Sequence, residues 1–227
     1  MFLKFLTFLG FGLASVSALH AEEEIVVQLN TRTFYAGEDF SGRDSDAKFL
    51  PINRLDWLNE MLKEIPLLDN TVIHIKQLNP GSDSLWSPTG PGGGYPYPEP
   101  IPNHLRLPGY TVHSSGQDGF RLLYLTPKSS QKQYAIGCTA ERDSNTYEWC
   151  GLRARYPLDP LVMVLTRIYN PPSMDQLDAF FKEIAELTVG IALCLDVTDQ
   201  NEKNAQQSVR EYLTEEAEIR CADGLTS

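Results

Sequence analysis

The apolar positions of this chain follow two different periods, and the change between them defines its central stretch. From Phe120 to Tyr169 they form four short runs: Phe120–Thr126, Gln133–Ala140, Tyr147–Tyr156 and Leu161–Tyr169. The breaks between them are turn-rich, around Pro127, Asp143 to Asn145, and Pro157 to Pro160. Short, evenly spaced extended runs with such punctuation predict an antiparallel meander. Beyond Pro171 and Pro172, Leu177, Phe180, Phe181, Ile184, Leu187 and Ile191 recur at three- and four-residue steps, which is one stripe of a helix. Asp178, Lys182, Glu183 and Glu186 occupy its opposite side, and Ser173 with Gln176 has the spacing of a capping box. From Thr188 to Val197 the polar side disappears, so this end is either deeply buried or turns into a strand, and a buried helix end is the expectation.

The flanking segments add further elements. Ile25–Tyr35 reads as a first strand and Gly37–Lys48 as polar, turn-like chain. Asn53 and Asp56 are suited to cap a helix over Arg54–Ile65, with Leu55, Leu58, Met61, Leu62 and Ile65 as its apolar stripe and Pro66 as its stop. Val72–Leu78 reads as a strand with Ile73 and Ile75 on one face and Val72, His74 and Lys76 on the other. Tyr110–His113 predicts another strand, followed by turn-like Ser114–Gly119. Asp199 and Glu202 repeat the capping-box spacing before a last helix through Ala205, Val209, Tyr212 and Leu213. The fold class expected is α+β: an antiparallel β-meander packed against helices in a single domain over residues 22–227.

The cysteines sharpen the meander. With Asp143, Ser144 and Asn145 as a three-residue hairpin loop, Cys138 falls opposite Cys150, Ile136 opposite Leu152 and Tyr134 opposite Ala154, all on one face. Opposed Cβ atoms lie about 4.5–5.5 Å apart, near what a disulfide closes. The other face carries Tyr147, Trp149, Arg153 and Arg155, with Gly137 opposite Gly151; Arg167 joins it if the Pro157–Pro160 turn keeps register. Asn145 suits the left-handed position such loops use. Cys194–Cys221 follows by elimination, giving two disulfides. A straight helix antiparallel to the first would leave Cys221 about 30 Å from Cys194 at 1.5 Å per residue. The last helix is therefore expected to end near Leu213 or Thr214.

Composition then sets the compartment. Met1–Ala21, with Lys4, an apolar run over Phe5–Val16 and small residues before Glu22, reads as a secretory signal. It is short for a membrane span, so no stable membrane insertion is expected after its removal. Loss of Lys4 takes the net charge from −11 to −12. Such a charge disfavours nucleic acid as a partner and steers a basic one. An even cysteine count in an exported chain favours disulfides, consistent with a secreted or periplasmic location. Residues 79–104 form a Pro/Gly-rich loop, with seven prolines and five glycines between Pro80 and His104. This density excludes helix and central strand. Trp86, Tyr95 and Tyr97 are aromatic anchors of the kind found at interfaces.

Catalytic equipment is not evident. His113, Ser114 and Ser115, with Asp118 nearby, place the residue types of a serine hydrolase side by side, but adjacency is not triad geometry and no Gly-x-Ser-x-Gly elbow is present. The mature histidines, His74, His104 and His113, lack metal-ligand spacing, and paired cysteines are not nucleophiles. No catalytic residue, metal or cofactor is assigned, and the reading leans away from an enzyme. The function expected is that of an exported, soluble protein-binding protein, such as an inhibitor or immunity-type protein neutralising another envelope or extracellular protein. Its binding residues would be Trp86, Tyr95, Tyr97, Tyr147, Trp149, Arg153 and Arg155. The alternatives are a glycan- or small-anion-binding module using the aromatic and arginine sheet face, and a hydrolase with a cryptic site.

Overall fold

The computed structural model describes residues 26–37, 48–79, 101–117, 120–129, 134–141, 143–199 and 205–214. The signal at Met1–Ala21, the loop anchors Trp86, Tyr95 and Tyr97, and Asp118, Glu202 of the second capping box and Cys221 lie outside the described residues.

The meander forms as the pattern predicts and is part of a larger sheet. Its strands are β6 (Phe120–Pro127), β7 (Tyr134–Glu141), β8 (Trp149–Arg155) and β9 (Val162–Tyr169). On one side the sheet continues through β5 (Tyr110–Gln117), and on the other through β4 (Thr71–Gln77) and the short β3 (Phe49–Pro51). The order is β3-β4-β9-β8-β7-β6-β5, antiparallel throughout. The chain runs β5 to β9 without a crossover, but β4 joins beside β9. It must therefore return across five strand spacings to reach β5, about 24 Å at 4.8 Å per strand. This gives the long Pro/Gly-rich connection a topological reason that its composition alone did not supply.

Cys138 pairs with Cys150, Ile136 with Leu152, Tyr134 with Ala154 and Gly137 with Gly151. The Cys138–Cys150 disulfide is formed across a Cα–Cα distance of 4.1 Å. The loop differs from the one expected. The last bond is Glu148 N–H to Thr139 O, 2.8 Å, and Ser144 N–H closes an inner turn onto Glu141 O, 3.0 Å. The connection is thus longer than Asp143–Asn145 but centred on the same point, which is why the register survives. Asn145 is not left-handed; Asn30, Asn70 and Asn170 are. Among the described residues one disulfide has both of its cysteines, where two disulfides were expected, and Cys194 is itself disulfide-bonded. Among the described residues no cysteine is a free thiol, and Cys221, the expected partner of Cys194, is not one of them.

Helix α2 (Leu177–Leu195) lies against β8 and β9, and its two halves serve two cores. Leu177, Phe181 and Ile184 pack with Tyr110, Leu123, Ile136 and the disulfide. Ile191 to Leu195 pack with Ile73, Ile75 and Val164, under α1 (Asp56–Leu62) and a two-stranded hairpin of β1 (Val26–Leu29) and β2 (Arg32–Tyr35). The buried C-terminal half of α2 is thus as its all-apolar sequence predicts. Helix α3 (Ala205–Leu213) crosses it and ends at Leu213, where the expected Cys194–Cys221 pairing requires.

Four local expectations are corrected. The stretch expected as one strand over Ile25–Tyr35 is, from Val26 on, two strands turned at Asn30 with φ 55°. Ser114 and Ser115 belong to β5 and not to a turn, since β5 pairs with β6 through Gln117. The Ser173–Gln176 box is a turn closed by Gln176 N–H on Ser173 O, 2.9 Å, and α2 starts at Leu177 without a side-chain cap. Asn53 does not cap α1 either: its Oδ1 accepts from Ile73 N–H at 2.6 Å and its Nδ2 donates to Thr71 O at 3.3 Å, holding β4. Both caps lost to contacts that satisfied the same polar groups elsewhere.

The hairpin is pinned by buried carboxylates. Asp196, at the end of α2, accepts from Tyr156 Oη at 2.5 Å, Arg32 Nε at 2.7 Å, and the amide and hydroxyl of Thr198 at 3.0 and 2.6 Å. Asp159, in the β8–β9 turn, accepts from Asn30 Nδ2, the Thr31 hydroxyl and Leu161 N–H. Burial, and then the bond to Asp196, pushes the Tyr156 phenol well above its ordinary pKa. Buried charge is tolerated here because each oxygen is satisfied.

Candidate functional site

One face of the seven-stranded sheet is taken by α2 and the cores; the other carries the remaining polar and aromatic candidates. Strand pleating puts alternate residues on this outer face, and the register arranges them in rows. Tyr169, Trp149, Thr139 and Leu122 form one row; Val72, Arg167, Gly151, Gly137, Tyr124 and His113 form the next; His74, Leu165, Arg153 and Ala135 the third; and Lys76, Met163 and Arg155 the fourth. Arg167 therefore does join the face, because the Pro157–Pro160 turn keeps register.

Trp149 and Tyr169 are directly opposed across β8 and β9 and remain 39% and 44% exposed. Arg167 and Arg155 are exposed on the same face. Arg153 is half-buried, and both Arg153 and Arg155 already have interaction partners. The centre is not open: Ala135 and Met163 are buried, with Leu165 packed on them.

Tyr147 is the one expected binding residue on described chain that the structure takes away from this face. It precedes the first residue of β8, so the pleat no longer dictates its direction. Its ring is buried in the second core and its hydroxyl donates to Leu105 O at 2.9 Å. Burial raises its pKa. Tyr169, His74 and Lys76 take part instead. The sequence carried a signal for His74 and Lys76 in the alternation along Val72–Leu78, whereas Tyr169 required the β8–β9 register.

Of the serine and histidine candidates, His113 and Ser114 do not converge. His113 pairs with Tyr124 on the outer face, whereas Ser114 pairs with Leu123 on the core face. The Ser114 hydroxyl is buried and finds no hydrogen-bond partner among the described residues. Neighbours in a strand point to opposite sides, so this pair has no nucleophile–base geometry. Among the described residues no group of three His, Cys, Asp or Glu is placed to hold a metal ion. Nor is any described helix long and apolar enough to cross a membrane.

Charge is unevenly distributed despite the net −11. Among the described residues the outer face carries Lys76, Arg153, Arg155 and Arg167 against Glu141, whereas the exposed side of α2 carries Asp178, Glu183 and Glu186 against Lys182. A basic sheet face in an acidic protein, with an aromatic pair at one end, presents guanidinium groups and apolar rings together to anything that docks there. No known protein family, characterised protein or solved structure matches this chain.

Proposed function

We propose that this is an exported binding protein that acts by occupying a partner's surface, in the manner of an inhibitor, through the Trp149–Tyr169–Arg167 end of the outer sheet face. The observation that carries the reading is the Trp149–Tyr169 pair: two large aromatic side chains opposed in register, both well exposed, beside an exposed arginine. Tryptophan, tyrosine and arginine are the residue types that dominate binding energy at protein interfaces. A one-residue slip of β8 on β9 would separate them. The local charge favours an acidic contact region on the partner, whereas the net charge alone favoured a basic one. The separation of Ser114 from His113 supports binding over the hydrolase reading.

The test is co-purification of the mature chain from its native compartment, compared with a Trp149→Ala/Tyr169→Ala/Arg167→Ala variant. A stoichiometric protein should be retained by the parent and lost by the variant, with the melting temperature unchanged. Each aromatic truncation is expected to cost about 2 kcal/mol of binding, roughly thirtyfold. Recovery of a glycan instead would move the assignment to the ligand-binding alternative. A partner retained equally by the variant would overturn the surface.

A further inference from the structure

The geometry points to an oxyanion site on the outer face between Lys76 of β4 and Arg167 of β9, centred on His74, that takes a carboxylate of the docking partner. The site deepens the proposed function and rests on it for the identity of the ligand's owner, but not for its own existence.

His74 stands in register opposite Leu165; Arg167 is one row to one side of it and Lys76 one row to the other. Each lies about 7 Å from His74 at Cβ, and the two cations stand about 14 Å apart across it, a span that an extended lysine and an extended arginine can bridge through an anion over the imidazole. The surroundings of His74 can be followed element by element. From β3, Phe49 lies with ring centroids 5.7 Å away and Pro51 is its register partner. Arg54 follows in the 3-10 turn at Ile52–Arg54, and it has a partner of its own. On β4 itself the neighbour is Lys76, on β9 Leu165 and Arg167, and beyond Leu165 in the same row stands Arg153 of β8. Among the described residues the charges that act on His74 are all positive: Arg167, Arg54 and Lys76.

A chain with eleven more acids than bases has thus placed cations around a half-buried imidazole, where like charges repel. An oxyanion relieves that repulsion, and guanidinium and ammonium groups bind carboxylates and phosphates by charge-assisted hydrogen bonds. Burial first, and then Arg167, Arg54 and Lys76, hold His74 below its ordinary pKa of 6.5. A bound anion opposes the second effect, so anion and proton bind cooperatively and reciprocally. Binding should tighten as pH falls through the His74 titration.

The experiment is an NMR titration of His74 in the full mature protein, in chloride and then at matched ionic strength with inorganic phosphate or a glutamate-rich peptide. The peptide should raise the His74 pKa by about one unit, corresponding to about tenfold tighter binding to the protonated form. The rise should disappear in Arg167→Ala and in Lys76→Ala. His104 and His113, measured in the same spectra, serve as controls for general screening. A rise with phosphate alone would overturn the assignment to a partner's carboxylate. No rise with either probe would overturn the site, whatever the fate of the Trp149–Tyr169 surface.

Discussion

Gly190 lies in the buried half of α2 where α3 crosses it, and Tyr212 packs its phenol on the position a Cβ would occupy. The substitution Gly190→Ala therefore sets two effects against each other. Alanine in a helix interior is about 1 kcal/mol better than glycine. The new methyl, however, displaces the Tyr212 ring, which is half-buried and donates to Glu186 O at 3.4 Å. Full truncation of a buried aromatic costs about 3–5 kcal/mol; half of that for a half-buried ring gives about 2 kcal/mol. The net expectation is a loss of about 1 kcal/mol in the parent, or about 2–4 °C in melting temperature for a domain of this size. In a Tyr212→Ala background the clash is gone, and the same substitution should stabilise by up to about 1 kcal/mol. The sign should reverse. Urea unfolding of all four proteins, followed by circular dichroism, measures the cycle directly. Equal stabilisation in both backgrounds would refute the account and show that α3 does not pack on Gly190 in solution.

Cys138 and Cys150 are separated by 12 residues, so their cross-link removes loop entropy worth about 3 kcal/mol from the unfolded chain. Replacing both by serine should lower stability by about that amount, and non-reducing peptide mapping should recover the two cysteines in one linked pair. For His74, whose folded pKa lies below 6.5, the unfolded chain binds the proton more readily. Its contribution is complete above about pH 6.5 and is lost as pH falls from there toward the folded pKa. Unfolding midpoints measured across that window should therefore decline toward acid, with a shallower slope in His74→Gln; an unchanged slope would exclude His74 as its source.

The pairing of Cys138 with Cys150 was legible because antiparallel register depends on the midpoint of a hairpin and not on its loop length. The longer loop through Glu148 left that midpoint alone. The sides of β4 were legible for a similar reason, since a period of two assigns Ile73 and Ile75 to one face wherever the strand goes. The all-apolar end of α2 was legible because no stripe was left to face water. In each case the information is local and survives any choice of neighbours.

Where polar groups had a choice of partner, the sequence was silent. Asn53 and the Ser173–Gln176 pair carried helix-capping signals, but Asn53 satisfies the backbone of β4 and the Ser173 turn closes on itself. Tyr147 read as an outer-face residue, but β8 begins only at Trp149, which leaves the ring's direction to packing in the second core. The turn at Asn30 lacked a glycine, so two four-residue strands read as one. The candidate site is the extreme case: Lys76 and Arg167 are ninety-one residues apart and share a face only because β4 pairs with β9. Periodicity follows from the geometry of one chain segment, and amino-acid sequence determines it directly. Which strands become neighbours is settled by burying two cores at once under α2, against the entropy of closing long loops, and that balance exists only in the tertiary structure.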